Sequence, residues 1–145
     1  MHIPYVKEGA STDTLKVFPD VQGIYRPKVR IAVEYKGVKH KLFALIDSGA
    51  DSCLFPRDIA EILDIDIRKG PSIMYTGVGG QRVPFYFHEV KIFFDQYSFK
   101  TMAGFAYAGI GTGGILGQRG FFENFAVKFD YKHLVVEIKE PGLVG

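Results

Sequence analysis

Asp47 stands at the end of an apolar run, Leu42-Phe43-Ala44-Leu45-Ile46, and is followed at once by Ser48, Gly49, Ala50 and a second carboxylate, Asp51. A carboxylate delivered to a turn is suited to proton-transfer chemistry, and this stretch is where chemistry is expected. The hydroxyl of Ser48 can bond to nearby backbone, and Gly49 permits conformations closed to residues with a Cβ. Together they read as a rigid loop presenting one acid. Asp-Ser-Gly alone also occurs as an ordinary turn, with the aspartate capping a helix or bonding its own loop, so the surrounding elements have to decide. Other reactive side chains offer less. His2, His40, His88 and His133 are scattered, no zinc-type spacing occurs, and no metal or cofactor is expected. Cys53 is the single cysteine, cannot form an internal bridge, and in Cys53-Leu54-Phe55 reads as a buried apolar residue.

The acid needs a strand to deliver it. Residues 38–46 read as that strand, with Leu42, Ala44 and Ile46 on one face and Phe43, Leu45 and then Asp47 on the other. Val29, Ile31, Val33 and Tyr35 alternate with polar or small residues in a preceding strand, and Lys36-Gly37 marks the hairpin between the two. After the loop come a short strand at Cys53-Leu54-Phe55 and a short helix from Pro56 to Leu63, with Ile59, Ile62 and Leu63 on its inner side.

Tyr75-Thr76-Gly77-Val78-Gly79-Gly80-Gln81-Arg82 lies between apolar, strand-like runs and reads as the tip of a hairpin whose backbone could approach a ligand. It lacks the spacing and the Lys-Ser/Thr ending of a phosphate loop. Residues 83–94 form a long alternating strand, and Asp95-Gln96 turns it into a partner ending near Ala106. A second glycine-rich loop, 109–114, leads into Ile115-Leu116-Gly117, residues 118–125 read as a short helix with Phe121, Phe122 and Phe125 inward, and 126–129 with 134–138 form a last hairpin. The segment 9–14 looks like a loop, and Pro4, Pro19 and Pro27 interrupt any long element before residue 28.

With 145 residues the chain is long enough to bury one core without disulfides, and 17 glycines with 13 phenylalanines point to a β-rich chain with many tight turns. The formal charge of +2 with no run of lysines or arginines argues against a nucleic-acid partner. No apolar run approaches a membrane span and no basic segment precedes an apolar core at the N-terminus, so a cytoplasmic protein without a membrane partner is expected.

The string Leu45-Ile46-Asp47-Ser48-Gly49-Ala50, followed at a distance by Gly114-Ile115-Leu116-Gly117, resembles the aspartic proteases, and the single Asp-Ser-Gly triplet points to the one-domain, retropepsin-like branch. The resemblance implies an all-β acid-protease fold, a closed barrel-like domain with one or two short helices over 28–139, working as a two-fold homodimer. Residues 1–27 would be an N-terminal arm or edge segment open to processing, and 140–145 a tail. Asp47 would be the catalytic acid, supported by Ser48, Gly49, Ala50 and Asp51. Tyr75, Gly77, Val78, Gly79 and Gly80 would form the flap over an extended peptide or protein substrate, and Ile115, Leu116 and Gly117 would buttress the catalytic loop. The implied activity is aspartic endopeptidase; the alternative is a catalytically silent dimerisation or peptide-binding module. The family commonly has arginine where Gln118 stands, and a helix turned by one position would let Arg119 pair with Asp51 instead.

Overall fold

The computed structural model describes residues 1–77, 79–108 and 113–140. Its strands are β1 (His2–Pro4), β2 (Val6–Glu8), β3 (Ile24–Arg26), β4 (Lys28–Tyr35), β5 (Val38–Ile46), β6 (Leu54–Phe55), β7 (Ser72–Thr76), β8 (Arg82–Phe94), β9 (Tyr97–Ala106), β10 (Gly114–Leu116), β11 (Ala126–Asp130) and β12 (Val135–Lys139). The helices are α1 (Thr12–Val17) and α2 (Arg57–Ile62), with one 3-10 turn at Ile67–Lys69. Among the described residues no helix is long and apolar enough to cross a membrane, and no group of three or more His, Cys, Asp or Glu side chains is placed to hold a metal ion.

The chain divides into two compact units, Val29–Asn124 and the pair of segments Met1–Lys28 with Phe125–Gly145. In the larger unit, hydrogen-bonded strands follow the order β4-β5-β10-β6-β9-β8, and a further pairing of β4 with β8 closes them into a six-stranded barrel, with β7 added at the edge of β8. Its filling comes from period-two alternation: Val29, Ile31 and Val33 from β4, Ala44 and Ile46 from β5, and Val90, Ile92 and Phe94 from β8 are buried. The long β8–β9 hairpin runs in register from Phe85↔Ala106 to Phe94↔Tyr97, turned at Asp95-Gln96 as its sequence indicates. In the smaller unit β1-β12-β11 form an antiparallel sheet and β2 pairs with β3.

The mostly β, closed-barrel expectation is met, and three local expectations are corrected. Residues 118–125 are not a helix but a run of turns: Gly120 adopts φ +99°, which interrupts a right-handed helix, and Glu123 N donates to Gln118 O at a five-residue spacing. The segment 9–14 is not all loop, because Ser11 accepts from Thr14 N at 3.1 Å and caps α1. Ile62 is 47% exposed; Ile59, Ala60 and Leu63 form the inner side of α2.

Candidate active site

β5 ends at Ile46, and Asp47 continues its pairing: Asp47 N donates to Leu116 O at 3.0 Å. Gly49 N donates to Asp47 Oδ1 at 2.9 Å, and Ala50 N to Asp47 O at 3.2 Å, so the acid is held by its own turn from both its carboxylate and its carbonyl. Asp47 and Ala50 are half-buried, while Ser48, Gly49 and Asp51 are exposed. Among the described residues the Ser48 hydroxyl makes no hydrogen bond within the chain; its carbonyl accepts from Gln118 Nε2 at 2.9 Å.

β10 supplies the floor. It runs parallel to β5 in the register Gly114↔Ala44, Ile115↔Leu45, Leu116↔Ile46. The chain then passes under the acid's loop, where Gln118 N donates to Ala50 O at 2.8 Å and Arg119 N to Asp51 O at 2.9 Å. Gly117 has to be glycine there: a Cβ would overlap Ser52 O and come within 2.7 Å of Ala50 O, both immovable backbone atoms. Leu116 and Gly117 are buried and Ile115 is half-buried.

The side of β5 that carries Leu45 and Asp47 continues as one row across the barrel. Leu45 pairs with Ile115, Ile115 with Leu54, Leu54 with Gly104, and Gly104 with Phe87. A Cβ at Gly104 would meet Leu54 Cδ2 at 2.8 Å and Phe87 Cζ at 3.0 Å, so this glycine is what lets the two side chains meet. Leu54, Phe85 and Phe87 pack with Tyr75, Val83 and Ile115 as an apolar wall.

β7 and the start of β8 make the glycine hairpin, closed by Gly77 N to Gln81 O at 2.8 Å with Gly79 and Gly80 at φ +94° and +85°. Gly77, Gly79 and Gly80 are exposed at its tip; Val78 lies outside the described residues, as do 109–112 of the second glycine loop. Tyr75 turns back from the hairpin, its ring 5.4 Å from Phe85 and its hydroxyl 3.5 Å from Ser52 Oγ. A groove of about 340 Å³ opens beside Ser52, lined among others by Ile73, Phe87, Met102 and Arg119.

No protein-family model matches the chain, and no curated protein does. Solved structures do. The crystal structure of a retropepsin-like aspartic protease from Rickettsia conorii aligns over 93% of this chain and 99% of its own, at 17% identity and a TM-score of 0.57. EIAV protease complexed with the inhibitor HBY-793 aligns over 64% of this chain and 82% of its own, at 24% identity and a TM-score of 0.50. The chain has a retropepsin-like fold.

In this retropepsin-like barrel Arg119 and Asp51, which a helix turned by one position would have let pair, make no ion pair. The two residues meet through backbone, Arg119 N to Asp51 O, because the turn at Gly120 replaces the helix that would have aimed the guanidinium. Gln118 takes over part of the buttressing by reaching the Ser48 carbonyl, a role its type alone does not announce. Ser52 carries no signal of a role in the sequence. It is buried, lies between the acid's loop and Tyr75, and bridges in parallel to Arg119. Cys53 is fully buried, its Sγ donating to Arg119 O at 3.4 Å, and burial pushes its thiol up to about 11.

Proposed function

We propose that the chain is an aspartic endopeptidase that works as a two-fold homodimer, with residues 28–139 as the protease domain and one Asp47 from each protomer meeting on the axis. The observation that carries this reading is the fixing of Asp47 at the end of β5 by Leu116 O and Gly49 N, beside an apolar wall and a glycine-tipped hairpin. Two adjacent carboxylates sharing one proton suit peptide hydrolysis, a general property of aspartic-protease dyads. The ionised carboxylate takes a proton from water as the water oxygen bonds to the peptide carbon. The protonated one donates to the carbonyl oxygen, giving a gem-diol; the C–N bond then breaks as the first carboxyl passes the proton it took to the leaving amine and a gem-diol hydroxyl returns its proton to the other carboxylate, leaving the product acid. No metal, cofactor or covalent intermediate enters this scheme.

The remaining residues take roles by their placement. The unengaged Ser48 hydroxyl is free to bond across the axis, and Gly49 to offer its carbonyl to a substrate. Asp51 would contribute to the dimer contacts, while Tyr75, Gly77, Val78, Gly79 and Gly80 close over an extended peptide, which can bond by its backbone to strand-like walls. Phe85, Phe87, Leu54 and Ile115 favour large apolar side chains next to the cut bond.

Incubating the purified protein with a diverse peptide library between about pH 4 and 7 tests the reading, with Asp47→Asn as control. Cleavage by the unaltered chain and none by the variant supports it. A folded dimer that binds extended peptides and cuts none would instead make the chain a binding module.

A further inference from the structure

The outer side of β5 changes character along its length. Leu45 and Asp47 lie at one end, Phe43 is half exposed in the middle, and Lys41 and Lys39 occupy the other end, all at the alternate positions that share one face. The barrel brings further cations to this end. Arg30 lies over the Phe43 ring at 5.2 Å, and Lys39 and Lys91 lie against the Phe93 ring at 3.7 and 5.2 Å. Lys91 pairs across β8 and β9 with Lys100, and Lys36 joins Lys91 and Lys100 around a groove of about 410 Å³ that also holds Glu34 and Glu89. Six cations, Arg30, Lys36, Lys39, Lys41, Lys91 and Lys100, therefore lie on this side with Glu34 and Glu89 among them, in a chain whose 18 basic and 16 acidic residues leave only +2.

None of the six makes an ion pair within 4.0 Å among the described residues, where the pairs found lie elsewhere. Contact with an aromatic ring orders an ammonium group without neutralising it. The region is thus a predominantly basic surface, partly ordered by ring contacts, on the strand face that leads to Asp47.

We propose that this surface is an exosite for an acidic stretch of the protein substrate, remote from the cut bond. It rests on the endopeptidase reading above. Continuity along β5 selects the occupant, since a chain lying in the cleft is the polymer already brought to this face. The spacing sets where the acids must be. Each two-residue step on a strand advances about 6.6 Å, so Lys41 lies roughly 20 Å from Asp47 and Lys39 roughly 26 Å. An extended peptide spans about 3.3–3.6 Å per residue, which places the acids about six to eight residues from the scissile bond. A two-fold dimer presents the surface on both sides of the cleft, so either flank of the substrate serves.

The test compares peptides with one common cleavable core and a flank carrying Asp-Glu-Asp at positions six to eight, or Ser-Gly-Ser there, or Asp-Glu-Asp at positions two to four. The distal acids should lower KM about tenfold at 50 mM salt with kcat unchanged, and most of the gain should vanish at 200 mM salt. Lys39→Gln/Lys91→Gln/Lys100→Gln should lose the gain while cutting the Ser-Gly-Ser peptide as before; Lys7→Gln/Lys128→Gln/Lys132→Gln should keep it. Equal KM for distal acids and Ser-Gly-Ser, or equal loss in both triple variants, overturns the exosite and leaves the protease standing. If no peptide is cut, the endopeptidase reading fails, and fluorescence anisotropy of the labelled distal-acid flank decides the surface alone: binding that needs Lys39, Lys91 and Lys100 supports it, and absent binding overturns it. Binding of a uridine 12-mer RNA in place of the acidic flank also overturns it.

Discussion

Replacing Gly117 by alanine probes the joint on which the site depends. The added methyl would overlap the Ser52 carbonyl and approach the Ala50 carbonyl to 2.7 Å, and neither can swing away as a side-chain tip would. Ala50 O also accepts from Gln118 N, and Ala50 N donates to Asp47 O, so relief of the clash moves the loop that carries the acid. Overpacking of this kind costs about 1–3 kcal/mol, and a clash with two backbone carbonyls belongs in the upper half, about 2–3 kcal/mol. For a chain of this length, that corresponds to a fall in Tm of roughly 6–12 °C. Gly113→Ala is the matched control, because its Cβ would meet nothing nearer than Phe43 O at 3.9 Å. Scanning calorimetry on both variants, together with cleavage of one peptide, should show Gly117→Ala destabilised and slowed and Gly113→Ala unchanged or slightly stabilised. A Gly117→Ala protein that melts within a degree or two of the parent would refute the stated packing of the two segments.

Cys53, pushed up to about 11 by burial, should resist a thiol reagent at pH 8, because the folded chain then holds roughly a hundredfold less thiolate than the unfolded one, before shielding is counted. Rapid labelling of the folded protein would show the thiol to be accessible. Glu8, Asp130 and Glu137 are all held below the usual carboxylate range, chiefly by hydrogen bonds to Lys28, His133 and Lys139 respectively. A carboxyl lowered in the folded state stabilises it above the unfolded pKa and loses that contribution as pH falls through the folded one. Their share of the Tm should be flat from pH 7 to about 5 and lost below about pH 4, less so in Glu8→Gln; a Tm that rises between pH 5 and 3 would contradict the assignment.

Much of the barrel was legible because its strands alternate cleanly. Val29 to Tyr35 and Leu42 to Ile46 carry their buried face at period two, Val83 to Phe94 alternates but moves its buried face from Phe85 and Phe87 to Val90, Ile92 and Phe94, and the Asp47 loop announced itself as acid, hydroxyl and glycine in sequence. What misled was local. Phe121, Phe122 and Phe125 have helical spacing, yet Gly120 takes a positive φ that only the tertiary turn reveals. Gln118, Ser52 and Gly104 gain their parts from cross-strand register, which no single segment encodes. The same holds for charge: without a basic run the chain reads as electrostatically bland, and only the pairing of β4 with β8 gathers Lys39, Lys91 and Lys100 on one face.

Two Asp47 carboxylates per active centre is the central claim, and mixing subunits tests it most directly. Unaltered protein and Asp47→Asn protein are unfolded together, refolded at a constant total concentration, and assayed on one peptide as the fraction of unaltered chain is varied. If each centre needs Asp47 from both protomers, activity follows the square of that fraction, falling to about one quarter at equal mixing. Activity that follows the fraction linearly, with about one half remaining at equal mixing, would mean that one chain carries a complete centre and would contradict the account.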